Sequence, residues 1–368
     1  MWFKFISCFL CCCFVSNLFV FKVSATGVSV SARSAIVMVA ATGEVLFSKN
    51  EREKRGVAST TKIMTAVVAL ENANLADKVI ASETAITVEG TSIGLQKGNE
   101  VNLHTLLYGM LLESGNDAAN VTAELVSGDK IAFAELMNDK AKQLGMFDTS
   151  FKNPSGLPEK DHYSTAYDMA LLGSYAVKNP VFRSICSSKR YTAEISNPTH
   201  ETTLYNHNKL LNKYDGAFGI KTGFTKAAGR CLVSAVEREG ITLVAVTLNA
   251  YDDWNDHIKL YDYCFGLLSV NEIDLSMAVS DIAVVNSKKS TISLRLLKNL
   301  YVPYYKTIPE YEITYYIPRF VYAGIRKGDY IGWAEVYTKS GMLVDKIFIV
   351  AGESAPVMQT NFIEKDRR

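Results

Sequence analysis

Strand-forming sequence at both ends of a helical middle is the feature that most constrains this chain. SAIVMVAATGEVLFSKN (34–50) is two β-rich runs about Thr42-Gly43, the pattern of a hairpin. From Phe218 onward, FGIKTGFT, GRCLVSAVE and ITLVAVTLNA are three further strand-like runs parted by short turns such as Arg238-Glu239-Gly240. Between them, Leu103, Leu106, Leu107, Met110 and Leu111 recur at helical spacing, and AANVTAELV resumes the period after a polar break. Three late strands and an early hairpin make one five-stranded antiparallel sheet if the chain returns to where it began. The expected fold class is therefore α/β, with a helical subdomain inserted in the sheet. DWNDHIKLYDYCFGLL (253–268) reads as the closing helix, so residues 26–268 form one expected domain.

With 368 residues the chain has room for a second domain. Beyond residue 269, DIAVVNS, STISLRL, EYEITYYI, DYIGWAEVYT and LVDKIFIVA are short alternating runs, which predict a small all-β domain over 269–352 and a tail over 353–368. The start differs from both. Lys4, an apolar run from Phe5 to Phe21 and the small-x-small Val23-Ser24-Ala25 form a signal-peptide pattern over residues 1–25. Lys22 is unusual so close to a cleavage site, and an uncleaved anchor is the alternative. The expected location is extracytoplasmic, in the wall or on the outer face of the membrane. Association with the membrane surface is left open, because the tail ESAPVMQTNFIEKDRR shows no amphipathic stripe.

Export changes how cysteine and charge are read. Cys8, Cys11, Cys12 and Cys13 leave with the leader, and Cys186, Cys231 and Cys264 are too few and too far apart for a disulfide framework. Without Lys4 and Lys22, 37 basic residues face 38 acidic ones, a net charge near −1 with no basic stripe, so no nucleic-acid partner is expected. His104, His162, His200, His207 and His257 show no ligand spacing, so neither a metal nor another cofactor is expected.

VASTTKIMTAV (57–67) puts Lys62 three residues after Ser59 in an otherwise small or apolar run. Lys62 either snorkels from a helix edge, or stands on one helix face with Ser59 and reaches its hydroxyl. Ser-x-x-Lys alone is weak, with about one chance match expected in a chain this long. Ser127 and Lys130 provide a second match, and Ser114-Gly115-Asn116 has its own decoy in Ser269-Val270-Asn271. Lys221-Thr222-Gly223 is rarer and occurs once, while Lys339-Ser340-Gly341 reads as a hairpin turn. Context separates the sets. Ser59 opens a helix after a loop, Ser114 to Asn116 break two helices, and Lys221 to Gly223 lie within a strand.

Ser-x-x-Lys, Ser-x-Asn and Lys-Thr-Gly in that order resemble the low-molecular-mass penicillin-binding proteins of the serine D-alanyl-D-alanine carboxypeptidase family. ESGNDAAN, LGMFDTSFKNPSGL, HYSTAYDMA and GIKTGFTKAAGRCLVSA are similar to that family as well. The resemblance implies a β-lactamase/transpeptidase-like domain followed by the β domain. It also implies a substrate, the peptidoglycan stem peptide ending in D-Ala-D-Ala, and covalent inhibition by β-lactams. Ser59 would be the nucleophile, Lys62 its general base, Ser114 a proton relay and Asn116 an orienting group. Lys221 and Thr222 would hold the substrate carboxylate, Gly223 would let its backbone lie close, and the N–H groups of Ser59 and Phe224 would form the oxyanion hole. An alcohol needs an adjacent base, and Lys62 can serve only when neutral, which burial and the nearby cation Lys221 would favour. Gly216-Ala217-Phe218-Gly219 departs from the Asp-Gly pair of many relatives, a difference of local packing.

Two rivals stand beside this reading. A β-lactamase of class A type would need a loop glutamate in a Glu-x-x-Leu-Asn setting, and Glu159 has the wrong neighbours. A non-catalytic wall-binding scaffold would keep the fold and lose turnover.

Overall fold

The computed structural model describes residues 28–273, 281–305, 308, 310–339, 341 and 343–358. The expected leader at 1–25 and the end of the tail lie outside the described residues. The chain divides into two compact units on either side of Leu267.

In the first unit, β1 (Ser34–Val39) and β2 (Val45–Lys49) form the hairpin, and a 3-10 turn over Ala58–Thr61 leads into α1 (Lys62–Asn72). The short elements β3 (Lys78–Ile80), α2 (Glu83–Ile86) and β4 (Glu100–Asn102) carry the chain to α3 (Leu103–Leu111), α4 (Asn116–Ser127) and α5 (Lys130–Gln143). A long loop precedes α6 (Ala166–Ala176) and α7 (Pro180–Ser187). The hairpin of β5 (Arg190–Ile195) and β6 (His200–Tyr205), then α8 (Leu210–Lys213), complete the helical middle. β7 (Ala217–Thr225), β8 (Gly229–Arg238) and β9 (Ile241–Leu248) return to the first hairpin, and α9 (Asp253–Phe265) closes the unit. The sheet order is β2-β1-β9-β8-β7, antiparallel throughout, as the bracketing strands predict.

Helix boundaries follow their caps. Asn102 caps α3 by accepting the Thr105 N–H, and Thr165 caps α6 by accepting the Asp168 N–H. Asn179 caps α7 with Pro180 in its first turn, where the missing N–H costs nothing. Gly128 ends α4 in the left-handed region, and Asp129 at once caps α5, so Ser127 and Lys130 fall on different helices.

The sheet is covered on both faces, which is why β9 reads as a nearly unbroken apolar run. On one face α6 lies close enough that a Cβ on Gly173 would meet Val244 at 2.9 Å and Val233 at 3.3 Å. On the other, His257 and Tyr261 of α9 bond to Ser234 of β8 and Thr247 of β9. Burial without a charged partner holds the His257 imidazole neutral, with its pKa down at about 3. β7 is one of the two edge strands, and its Lys221 to Phe224 segment runs beside the turn at the head of α1, with a Cβ at Gly223 lying 3.0 Å from Ser59 N.

The second unit is all-β. β10 (Ser269–Ile273) pairs with β13 (Leu300–Tyr304). β11 (Asp281–Val285), β12 (Thr291–Leu296), β14 (Tyr311–Tyr316), β15 (Phe320–Tyr322), β16 (Tyr330–Thr338) and β17 (Leu343–Ala351) form a six-stranded sheet in the order β14-β16-β17-β12-β11-β15. The five predicted runs correspond to β11, β12, β14, β16 and β17. Ala355 is buried in this unit's core and bridges Ile325, so packing continues past residue 352.

Candidate active site

Ser59 sits in the 3-10 turn, and Lys62 is the first residue of α1. Three residues per turn place side chains i and i+3 over one another, so the pair can meet without a full α-turn. The Lys62 ammonium position is 3.0 Å from Ser59 Oγ, and its Nζ donates to Asn116 Oδ1 and to the Ser155 carbonyl, both at 2.7 Å. Lys62 is 0% exposed. Burial, followed by the charge of Lys221, drives its pKa well below that of an ordinary lysine, against a smaller opposing pull from Asp117.

The turn rests on a loop that residue spacing alone did not single out. Asn153 Oδ1 accepts the Gly156 N–H and the Ser155 hydroxyl, fixing the loop that offers the Ser155 carbonyl to Lys62. The Pro154 carbonyl accepts the Thr65 hydroxyl from α1 at 2.6 Å. Gly156 has φ +83, and a Cβ there would lie 2.0 Å from the Ala58 carbonyl oxygen. Ala58 itself has φ +47, a conformation that costs a residue with a side chain about 1–2 kcal/mol and that sits directly before Ser59. His162 is part of this support. Its Nδ1 accepts the Lys152 N–H, which leaves Nε2 to donate to the Thr61 hydroxyl at 2.9 Å, and burial lowers its pKa to about 4.

Ser114, Gly115 and Asn116 form the turn between α3 and α4. Ser114 has φ +67, and its carbonyl accepts the Thr91 hydroxyl at 2.8 Å. Asn116 faces two ways: Oδ1 accepts from Lys62 while Nδ2 donates to the Glu89 carbonyl at 2.6 Å. Asp117, which belongs to none of the three motifs, is fully buried and accepts from Ser92 Oγ and the N–H groups of Ile93 and Leu95. It anchors the 92–95 loop to α4. Its one sequence signal was its place inside ESGNDAAN.

On β7, Lys221 is 1% exposed and its Nζ donates to the Thr222 carbonyl at 2.9 Å. Burial lowers its pKa to about 7, and the carboxylate of Glu113 opposes that shift. A Cβ on Gly223 would approach the N atoms of Ser59 and Thr60 to 3.0 Å. That distance is tight without being impossible. Gly223→Ala is therefore expected to fold with a melting temperature near that of the wild type while acylation slows at least tenfold; a large loss of stability would contradict this division. Phe224 next to it is 64% exposed. Of the decoys, Ser269 and Asn271 lie in β10, and Lys339 and Gly341 lie between β16 and β17. Among the described residues, no three His, Cys, Asp or Glu side chains converge to hold a metal.

Against known proteins, the peptidase S11 family profile, D-alanyl-D-alanine carboxypeptidase, matches residues 20–252. This chain belongs to the D-alanyl-D-alanine carboxypeptidase family. It is 35% identical to the D-alanyl-D-alanine carboxypeptidase DacF of Bacillus subtilis over 277 residues, which is 72% of this chain and 70% of that protein. With the D-alanyl-D-alanine carboxypeptidase DacB2 of Mycobacterium tuberculosis it shares 34% over 244 residues, 64% of this chain and 83% of the other. The crystal structure of the Streptomyces K15 DD-transpeptidase superposes with a TM-score of 0.63 at 33% identity, covering 66% of this chain and all (100%) of that one. The family match ends before the β unit begins.

Proposed function

We propose that this carboxypeptidase-family chain removes the terminal D-alanine from peptidoglycan stem peptides ending in D-Ala-D-Ala, through an acyl-enzyme on Ser59. The observation that carries this reading is the hydrogen-bonded set of Ser59, Lys62, Asn116 and the Ser155 carbonyl around one buried amine. A neutral amine has two hydrogens and one lone pair. The two 2.7 Å contacts to Asn116 Oδ1 and Ser155 O take the hydrogens, so the lone pair is left for the Ser59 O–H.

The reaction then runs in two halves. Ser59 Oγ attacks the carbonyl of the penultimate D-alanine and passes its proton to Lys62 Nζ. The tetrahedral oxyanion forms opposite the N–H groups of Ser59 in the 3-10 turn and Phe224 on β7, which the absence of a side chain at Gly223 lets lie close together. The C–N bond breaks as the proton held by Lys62 passes through Ser114 to the leaving D-alanine amine, which returns Lys62 to its neutral form. Water then attacks the ester, Lys62 accepts the water's proton, and the ester C–O bond breaks as Lys62 hands that proton to Ser59 Oγ, releasing the shortened peptide as a carboxylic acid. Lys221 and Thr222 hold the substrate's terminal carboxylate by charge and hydroxyl.

Such a substrate lies outside the cytoplasmic membrane, so the enzyme works there, delivered by the leader at 1–25. Among the described residues no helix is long and apolar enough to cross a membrane. A second reading rests on the neighbour named a DD-transpeptidase: the same acyl-enzyme, handed to an amine instead of water.

The test is D-alanine release from a D-Ala-D-Ala pentapeptide, with and without an added amine, beside mass mapping of a benzylpenicillin adduct. Release with the adduct on the tryptic peptide Gly56–Lys62 is expected. A new peptide-amine product would favour the transpeptidase. Rapid penicillin turnover without D-alanine release would favour the β-lactamase, although Glu159 is exposed and its carboxylate accepts from Asn153 Nδ2. A lasting adduct without release of D-alanine would favour the scaffold.

A further inference from the structure

A proton relay through Ser114 depends on where one hydroxyl points. Among the described residues no side chain bonds to that hydroxyl, so the backbone of its own turn sets its direction. That backbone is strained. Ser114 has φ +67, a left-handed conformation that a residue with a Cβ keeps only where its surroundings hold it. Released, the turn would relax towards negative φ and carry the hydroxyl elsewhere.

The hold comes from a residue outside all three motifs. Thr91 Oγ1 donates to the Ser114 carbonyl at 2.8 Å, and the Thr91 carbonyl accepts the Asn116 N–H at 2.8 Å. Thr91 thus grips the turn Ser114-Gly115-Asn116 at both ends. Two residues earlier, the Glu89 carbonyl accepts from Asn116 Nδ2 at 2.6 Å. Thr91 is itself fixed from behind. Directly after it, Ser92 Oγ and the N–H groups of Ile93 and Leu95 donate to the buried carboxylate of Asp117. Ile93 also fills a notch that glycine leaves open, since a Cβ on Gly109 or on Gly115 would meet its side chain at 2.9 Å. Loop and turn are locked together, and the Thr91 hydroxyl is the part of that lock that reaches Ser114.

We propose that Thr91 is a positioning residue: its hydroxyl holds Ser114 at positive φ, with the relay hydroxyl aimed at the leaving nitrogen. The proposal rests on the carboxypeptidase reading for its peptide substrate. Penicillin acylation tests it apart from that reading, because the β-lactam nitrogen also takes up a proton as its C–N bond breaks.

Leaving-group chemistry isolates the step. An amine leaves only as it is protonated, so cleavage of an amide draws on the relay. A thiolate leaves without a proton, so cleavage of a thioester with the same acyl group and the same terminal carboxylate does not.

The experiment compares the wild type, Thr91→Val and Thr91→Ser in three readouts. These are kcat/KM on a D-Ala-D-Ala pentapeptide, kcat/KM on its analogue with sulfur in place of the scissile nitrogen, and the rate of benzylpenicillin acylation. Valine keeps the shape of threonine without the hydroxyl, and Thr91 is exposed, so Thr91→Val is expected to melt within about 5 °C of the wild type. On the amide and in penicillin acylation it is expected to lose about 10–100-fold, a share of the 10²–10⁴-fold that a positioned proton-transfer group contributes. On the thioester the loss is about threefold or less, and Thr91→Ser restores the amide rate. In a Ser114→Ala background, Thr91→Val has no further effect, because both changes act through one hydroxyl. An equal loss on amide and thioester, an unchanged amide rate, or additive losses in the double variant overturns the proposal and leaves Thr91 a structural residue. Penicillin acylation slowed by Thr91→Val and restored by Thr91→Ser, in a protein that releases no D-alanine, upholds Thr91 and refutes the carboxypeptidase reading.

Discussion

Lys62→Met is expected to lower acylation by benzylpenicillin and release of D-alanine by about 10³-fold or more, the scale of losing the base that activates a nucleophile. The same change should leave the fold standing. Methionine fills nearly the same length of the buried helix face and carries no charge to desolvate. Its cost is two acceptors left without a donor, Asn116 Oδ1 and the Ser155 carbonyl, at about 1–3 kcal/mol each. Against that stands the removal of a buried amine whose charged form the site disfavours. The two effects are of similar size, so the melting temperature at neutral pH should move by only a few degrees.

A pH series sharpens this prediction. In the folded chain the pKa of Lys62 is depressed and that of Lys221 is about 7, whereas in the unfolded chain both sit near 10.4. Between those values the unfolded chain binds protons that the folded chain has released, so both lysines make stability rise with pH up to about 10.4. Lys62→Met deletes one of the two contributions. The stability difference, wild type minus variant, should therefore grow from pH 7 to pH 9.5. A difference that shrinks over that range would mean that Lys62 is charged in the folded protein, and it would remove the basis for its role as a base.

What could be read in advance and what could not divide along physical lines. The five-stranded sheet was legible because its inner strands β1, β8 and β9 are largely buried and mostly apolar, with β9 nearly an unbroken apolar run. Ser59 and Lys62 were legible as a pair because i and i+3 meet in either kind of helical turn. Strands β10, β13 and β15 were missed. β15 is three residues long and pairs in parallel with β11, while β13 carries Pro303, and neither shows a clear alternation. The loop behind the serine shows its family similarity in the sequence but not its role. The Ser155 carbonyl is a backbone atom that any residue could offer, and its use depends on where the Asn153 side chain ties the loop. Glu113 and Asp117 were hidden for a related reason. An acidic residue beside a turn is ordinarily solvated, and only tertiary packing shows that one meets His207 and the Tyr205 N–H and the other holds the 92–95 loop.

That loop gives the second large effect, from the smallest change available. Gly156→Ala should lower stability by about 3 kcal/mol or more and slow acylation by about 10²-fold. The added methyl would have to sit 2.0 Å from the Ala58 carbonyl oxygen, 2.5 Å from the Ala58 carbonyl carbon and 2.8 Å from Thr61 Oγ1. Two of these are backbone atoms of the turn that carries Ser59, so no side-chain rotation relieves the contact. Either the turn or the loop must retreat by more than an ångström. Retreat of the loop draws the Ser155 carbonyl away from Lys62 Nζ, frees a hydrogen of the amine and loosens its lone pair from Ser59. The positive φ of +83 adds about 1–2 kcal/mol, as it would for any residue with a Cβ. Gly240 separates the two terms: it has φ +78 in the β8–β9 turn with nothing within 4 Å of its Cβ position. Gly240→Ala should cost only the backbone share, about 1–2 kcal/mol, and leave acylation unchanged. Thermal melts and penicillin acylation rates of the two variants, taken side by side, decide the matter. Equal destabilisation with normal acylation in both would show that the turn and the loop are not in the close contact on which the placement of Lys62 depends.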